Sequence, residues 1–320
     1  MIDILFDKVL NGGSITKEEA LSLSQAELEP LCLAADRIRE RFCGNVFDMC
    51  SIINGKSGKC PEDCKYCAQS AHYPTDTDTY PLLDAASLTE AAKSNAASGI
   101  QRFSIVTSGR RLNDKEVEQV CSAFREIKNT CKISLCASMG LLSRKQFEML
   151  KQAGVTRYHN NLETSRRFFP EICTTHTYDD KIQAIKNAQA AGLTVCSGGI
   201  MGLGETMEDR IDMALTLRDL HIRSIPINVL NPIPGTPLEN NTPLSQDEVC
   251  RITTIYRFLL PDSILRMAGG RGLMEDHGRR VLKSGANGAI TQNMLTTGGV
   301  GVGEDMKIVE EMGFEVGIYE

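Results

Sequence analysis

Residues 46–70 read VFDMCSIINGKSGKCPEDCKYCAQS, a strand pattern running into a loop with cysteines at positions 60, 64 and 67. In VFDMCSII alternate residues share a face, so Phe47 and Met49 point one way while Asp48 and Cys50 point the other. The C-x3-C-x2-C loop that follows offers three thiolates, Cys60, Cys64 and Cys67. Four thiolates complete the usual ligation of a 4Fe-4S cluster; three leave one iron open to a small molecule with its own nitrogen and oxygen donors. Structural zinc asks for four ligands, usually as two separated pairs, and no second pair follows at zinc-finger distance. His72 reads as a loop residue.

Outward from this stretch the strand-then-helix pattern recurs. The strand candidates are VFDMCSII, RFSIVT, KISLCAS, RYHNNLE, TVCSGGI, SIPINVL, SILRMAGG and AITQNML. Helical segments between and after them include LTEAAKSNAASG, NDKEVEQVCSAFREIKN, LSRKQFEMLKQAG, TYDDKIQAIKNAQAAG, TMEDRIDMALTLRDLH and SQDEVCRITTIYRFLLP. Strand and helix alternating eight times, with right-handed crossovers, predict an α/β fold, a (β/α)8 TIM-type barrel, over an open doubly wound sheet. The expected organisation is an N-terminal helical extension, 1–43, and a barrel domain, 44–320. The cysteine loop follows the first strand and so falls at the C-terminal ends of the strands, where barrel active sites lie.

The strand phase names an interior. In KISLCAS, Ile133, Leu135 and Ala137 face the helices and send Ser134, Cys136 and Ser138 inward. Val195 faces out and Cys196 in; Ser104, Asn161, Glu163, Asn228 and Arg266 also point inward. Buried polar groups cost free energy unless partnered, so this lining is expected to enclose a polar ligand. Composition fits a soluble enzyme: 42% hydrophobic, 24% charged, net charge -6, which argues against nucleic acid as an obligate partner. No 18-residue apolar run suggests a membrane span. The N-terminus MIDILFDKVL lacks the features of a secretory signal, so a cytoplasmic protein is expected, in which the twelve cysteines serve as ligands, catalysts or small buried hydrophobes.

The cysteine spacing, with Tyr66 just before the last cysteine, resembles the radical S-adenosylmethionine superfamily. NGKSGKCPEDCKYCAQS, YHNNLETS, CSGGIMGLGET, IPINVLNPIPGTPL, LRMAGGRG and NMLTTGG together resemble the biotin synthase family across nearly the whole chain. The resemblance implies insertion of sulfur between two unactivated carbons of dethiobiotin, an electron donor such as flavodoxin or ferredoxin, and a homodimer. It implies a 4Fe-4S cluster on Cys60, Cys64 and Cys67 that binds and reductively cleaves S-adenosylmethionine, the radical chemistry being the cofactor's. Carried over by position, Tyr66 and the backbone around Ile200 lie by the adenine, and Asn161 and Glu163 contact ribose or substrate. Asn161 and Asn228 suit the ureido ring, since an amide both donates and accepts, and Thr296 and Thr297 match positions that hold the substrate carboxylate. Two departures stand out: the family usually has Asp where Glu163 stands, and Arg where Lys181 faces the carboxylate of S-adenosylmethionine, so a bidentate contact becomes a point-charge contact.

The second cluster sets this chain apart. The well-known form of the family holds a 2Fe-2S cluster with three barrel cysteines and one arginine; here Arg266, Cys136 and Cys196 match, but the third cysteine is replaced by Ser104. Soft thiolates are what Fe-S clusters select, and Cys50, inward on the neighbouring strand, restores a third. Cys50, Cys136 and Cys196 are expected to hold an auxiliary cluster, 4Fe-5S by resemblance to an anaerobe-type variant, with Arg266 as ligand or neighbour. The alternatives are a 2Fe-2S cluster re-ligated by Cys50, or Cys43 as a further ligand. Cys32, Cys121, Cys131, Cys173 and Cys250 read as buried or idle thiols. A hydrogenase maturase or methylornithine-type mutase shares the barrel and its opening motif, and an iron-sulfur scaffold or electron carrier is the reading from another class.

Overall fold

The computed structural model describes residues 1–319. Its strands are β1 (Val46–Lys56), β2 (Arg102–Thr107), β3 (Ser134–Ser138), β4 (Arg157–His159), β5 (Thr194–Cys196), β6 (Gly199–Met201), β7 (Ser224–Val229), β8 (Ile264–Met267), β9 (Gly288–Ile290) and β10 (Glu315–Val316). Every ladder is parallel: β1 to β5 pair in succession, β5 and β6 both pair with β7, and β7, β8 and β9 follow. The register Asp48↔Gly288, Met49↔Ala289, Cys50↔Ile290 joins β9 back to β1 and closes the barrel. β10 adds to the lower end of β1.

The helices are α1 (Ile2–Leu10), α2 (Lys17–Leu23), α3 (Leu28–Cys43), α4 (Ala85–Ala97), α5 (Asp114–Thr130), α6 (Arg144–Gln152), α7 (Phe169–Ile172), α8 (Tyr178–Ala190), α9 (Met207–Asp219), α10 (Gln246–Leu259), α11 (Arg279–Leu282) and α12 (Val302–Glu311). The (β/α)8 expectation is met, and α1–α3 precede the barrel, with α2 packing on α9 and α3 on α10. Among the described residues no helix is long and apolar enough to cross a membrane. Helices α5, α6, α8, α9 and α10 each start with a capping box, such as Thr177 with Asp180 on α8 and Thr206 with Asp209 on α9. These reciprocal bonds satisfy orphan N–H groups at each start and fix where the preceding loop ends. Leu135, Ala137, Val195, Phe47 and Met49 lie in the apolar layer between barrel and helices, as their phase requires.

Four strand candidates differ from expectation; SILRMAGG stops at Met267. TVCSGGI is two strands, because Gly198 falls opposite Pro226 in the register set by Cys196↔Ser224 and Gly199↔Ile227. Proline has no N–H for the ladder, and a Cβ on Gly198 would sit 2.0 Å from the Pro226 carbonyl oxygen. RYHNNLE leaves the sheet after His159 and turns at Glu163, whose φ is 72°. AITQNML leaves after Ile290, turning at Gln292 with φ 69°. Asn160, Asn161, Glu163, Thr296 and Thr297 therefore stand on loops over the barrel mouth. Helices α11 and α12 were not foreseen; glycine-rich TTGGVGVG masks the start of α12.

The barrel floor is ionic. Asp48 is fully buried, with its carboxylate 2.8 Å from Arg266, 3.1 Å from Arg102 and 4.0 Å from Arg157. Burial alone would raise its pKa, but the three guanidiniums outweigh it and hold it at about 2. Asp48→Asn is expected to destabilise the fold by about 3–5 kcal/mol, because it strands buried cations; urea unfolding at neutral pH measures this. Since the folded-state pKa is depressed from 3.8, the stabilisation is present above that value and is lost as pH falls through about 2. The variant should lack that part of the acid dependence, and equal acid profiles would contradict the assignment.

Candidate active site

A cavity of about 380 Å3 fills the barrel mouth. Its wall includes Cys50, Cys136, Cys196, Ser104, Ser138 and Arg266 from the strands, as phase predicted. The loops contribute Tyr66, Cys67, Asn161, Glu163, Thr296 and Thr297, while β6, β7 and α8 contribute Ile200, Asn228 and Lys181. Apolar Val106, Val229, Leu230, Ile233, Ile290 and Leu295 also line it.

The cysteine loop closes on itself. The N–H of Cys60 donates to the Gln69 carbonyl at 2.9 Å, that of Ala71 to the Cys60 carbonyl at 2.8 Å, and that of Cys67 to the Cys64 carbonyl at 3.0 Å. The Ser70 hydroxyl donates to the Glu62 carbonyl at 2.6 Å. Cys60, Cys64 and Cys67 are half-buried, whereas Cys50, Cys136 and Cys196 are buried. One soft donor set thus stands at the mouth and another in the depth. Cys67 and Tyr66 reach the cavity; Cys60 and Cys64 do not line it. His72 is exposed, with Nε2 3.0 Å from the Pro61 carbonyl oxygen.

The deep thiols differ in character. Burial pushes Cys50 up to about 12, helped by Cys136, and raises Cys136 as well. Burial also acts on Cys196, but His159 beside it, with Arg266 and Arg157, brings it down to about 6. Beneath these thiols three guanidiniums face one carboxylate, leaving positive charge that favours thiolates and an anionic group. Arg266 donates to the Asp48 carbonyl oxygen and carboxylate, both at 2.8 Å, and Asp48 holds it firmly cationic. Both terminal nitrogens of this guanidinium are thus engaged by Asp48, and its charge stands in the cavity wall beside the thiols. Cys43 ends α3 against Arg257, 3.3 Å from its guanidinium, and lies outside the cavity wall.

Several polar atoms in the cavity wall are buried and have no hydrogen-bond partner: Ser104 Oγ, Thr107 Oγ1, Asn160 Nδ2, Glu163 Oε2 and Arg157 Nε. Such orphans are rare in folded proteins, and together they fit a polar ligand. Other groups are partly used. Asn161 Oδ1 accepts from the Gly198 N–H at 3.1 Å, which leaves its NH2 toward the cavity. Asn228 donates to the Gly199 carbonyl at 3.0 Å and accepts from the Gly269 N–H at 2.9 Å, clamping β6 and β8 across β7. Lys181 donates to Asn160 Oδ1 at 3.3 Å, and the Ile200 N–H to the Glu163 carbonyl at 2.8 Å.

Sequence reasoning passed over Arg102, Arg157, His159 and Asn160. The signal for three of them was present: Arg157 and His159 share the parity of Asn161 and Glu163, and Arg102 that of Ser104. Cys173, read as a buried or idle thiol, is buried, and it lies against the polar groups of Asp63, Cys64 and His176. Cys32, Cys121 and Cys250 are core thiols, and Cys131 is half-exposed.

Residues 56–217 match the Radical SAM superfamily, and residues 226–315 match the Biotin and Thiamin Synthesis associated domain. The boundary between the matches falls just before and within β7, inside one closed sheet. A protein named biotin synthase from Akkermansia muciniphila is 59% identical over 98% of this chain and 97% of its own length. Biotin synthases from Clostridium botulinum strain Langeland and Brachyspira hyodysenteriae are each 55% identical, covering 97% and 100% of this chain and 97% and 96% of theirs. Among solved structures, methylornithine synthase superposes with a TM-score of 0.85 at 19% identity, covering 98% of this chain and 97% of that one. The FeFe-hydrogenase maturase HydG from Carboxydothermus hydrogenoformans gives 0.81 at 17%, covering 98% and 78%. At such identity these structures share the fold alone.

Proposed function

The chain belongs to the biotin synthase family of radical S-adenosylmethionine enzymes, and on that premise we propose that it inserts sulfur into dethiobiotin to close the thiophane ring of biotin. The observation that carries this reading is the pair of thiol sets at one cavity: three half-buried on the mouth loop, of which Cys67 lines the cavity, and three buried in the barrel wall. A scaffold or electron carrier has no use for the unpartnered polar wall between them.

Cys60, Cys64 and Cys67 would hold the 4Fe-4S cluster; Cys50, Cys136 and Cys196 would hold a 4Fe-5S auxiliary cluster beside Arg266. When bound, these groups supply an electron that splits S-adenosylmethionine into methionine and a 5'-deoxyadenosyl radical, and the sulfur that becomes part of the product. The residues supply position and dryness. Tyr66 and the backbone at Ile200 flank the adenine, and Lys181 faces the methionyl carboxylate. Glu163, whose Oε2 is unpartnered, accepts from the ribose hydroxyls. The free NH2 of Asn161, with Asn228, meets the ureido ring, and Thr296 and Thr297 hold the substrate carboxylate. This orients the methyl and methylene carbons toward the buried thiols, while the apolar wall excludes water from a reactive radical.

The barrel, 44–320, acts as the catalytic unit and 1–43 as its extension. The family resemblance supports a flavodoxin or ferredoxin as reductant and a homodimer. Dethiobiotin deuterated at its methyl group should pass deuterium into 5'-deoxyadenosine; deoxyadenosine free of deuterium would exclude this substrate. Glu163→Gln is expected to weaken S-adenosylmethionine binding by about 1.5–3 kcal/mol, roughly ten- to a hundredfold, through loss of charge-assisted bonds. Equilibrium dialysis with the cluster-loaded protein measures it, and unchanged affinity would remove Glu163 from the ribose.

A further inference from the structure

Outside the cavity, the turn between α7 and α8 is tied to the cysteine loop. The Lys65 N–H donates to the Ile172 carbonyl at 2.9 Å, and the Asp63 carboxylate accepts from the N–H groups of Thr174 and Thr175 at 2.8 and 3.1 Å and from the Thr175 hydroxyl at 3.0 Å. This tether brings Cys173 Sγ to 3.8 Å from Cys64 Sγ, to 3.2 Å from His176 Nδ1 and to 3.8 Å from its Nε2. The three ligand atoms all lie within 4.8 Å of one another, and Cys173 and His176 are 3% and 7% exposed.

The separations from Cys173 Sγ to Cys64 Sγ and to His176 Nε2 match edges of a small coordination tetrahedron. With metal–sulfur bonds of about 2.3 Å and metal–nitrogen bonds of about 2.0–2.1 Å, the sulfur–sulfur edge is about 3.8 Å and the sulfur–nitrogen edge about 3.6 Å. The imidazole carries a second sign. Nδ1 of His176 is hydrogen-bonded to Glu62 Oε2 and also lies beside Cys173 Sγ, and a carboxylate on one ring nitrogen is the arrangement that orients imidazoles binding a metal through the other.

We propose that Cys64, Cys173 and His176 form a mononuclear site for a thiophilic divalent cation, Zn(II) or Fe(II), that is filled when the four-iron cluster is absent. Two thiolates and an imidazole suit both ions, and zinc binds the tighter of the two. Because Cys64 also belongs to the cluster set, the ion and the cluster exclude each other, so bound zinc blocks cluster assembly. That exclusion rests on the cluster reading above; the site itself does not.

Cobalt(II) added anaerobically to the full-length, chelator-stripped protein tests the site. One equivalent is expected to bind with thiolate-to-cobalt charge-transfer absorption and the intense visible bands of a tetrahedral ion. Cys173→Ser and His176→Ala should abolish those bands with unchanged far-ultraviolet circular dichroism, Cys60→Ser and Cys67→Ser should keep them, and Glu62→Gln should weaken binding roughly 10- to 100-fold. Zinc added first should slow four-iron reconstitution of the unmodified protein but not of Cys173→Ser. Absence of the bands, or bands that survive Cys173→Ser and vanish in Cys60→Ser or Cys67→Ser, would overturn the site. Bands that follow Cys173, with zinc leaving reconstitution untouched, would uphold the site and remove Cys64 from the cluster.

Discussion

Cys67→Ala protein, reconstituted anaerobically with iron and sulfide, is expected to release no 5'-deoxyadenosine from S-adenosylmethionine above the level of unreconstituted protein. Cys67 is the cleanest of the three loop cysteines to test, because it faces the cavity beside Tyr66 and has no part in the contacts that join Cys64 to Cys173. With two thiolates left, the four-iron unit loses a ligand on a second iron, and an open, water-exposed iron there is prone to loss. The buried thiols are untouched, so iron attributable to Cys50, Cys136 and Cys196 should remain. The expected pattern is therefore partial retention of iron with complete loss of cleavage. Cleavage at the level of the unmodified protein would mean that Cys67 does not hold the cluster.

Cys50→Ala should give the complementary result: auxiliary iron is lost, biotin formation is abolished, and S-adenosylmethionine is still cleaved. Cys50 is buried in the cavity wall with Cys136 and Cys196, and its thiol sits on β1 two residues below Ile52, the partner of Ser104. The Ser104 hydroxyl is buried and unpartnered, but a hard alkoxide oxygen is a poor replacement for a thiolate on iron. Losing Cys50 leaves two soft ligands, too few to retain the cluster. Unchanged total iron would exclude both the 4Fe-5S and the 2Fe-2S arrangement on Cys50.

What could be read from the chain follows from the range of the signal. Period-two patterning is local, so β2 was read as Arg102–Thr107 to the residue and the inward set Ser104, Cys136, Cys196 and Arg266 lines the cavity as expected. The break in the fifth strand was written not in that strand but in Pro226, its neighbour across the sheet, and a proline in a partner is invisible to a pattern read along one segment. The trio of arginines on Asp48 combines three strands, although each guanidinium sat at a position whose parity already pointed inward. Cys173 was beyond reach: its partner Cys64 lies 109 residues away, and the two loops are joined by tertiary bonds, Asp63 to Thr174 and Thr175, Lys65 to Ile172 and Glu62 to His176. Asn161 and Glu163 were named by strand phase as well as by resemblance, Thr296 and Thr297 by resemblance alone, and all four reach the mouth because β4 and β9 end early.

The most direct test of the whole account is anaerobic incubation of the reconstituted protein with S-adenosylmethionine, a reductant and dethiobiotin, with biotin and 5'-deoxyadenosine quantified by mass spectrometry. The account predicts biotin accompanied by about two 5'-deoxyadenosines per molecule, one for each carbon that gains a bond to sulfur. Deoxyadenosine without biotin, from protein carrying both clusters, would contradict it.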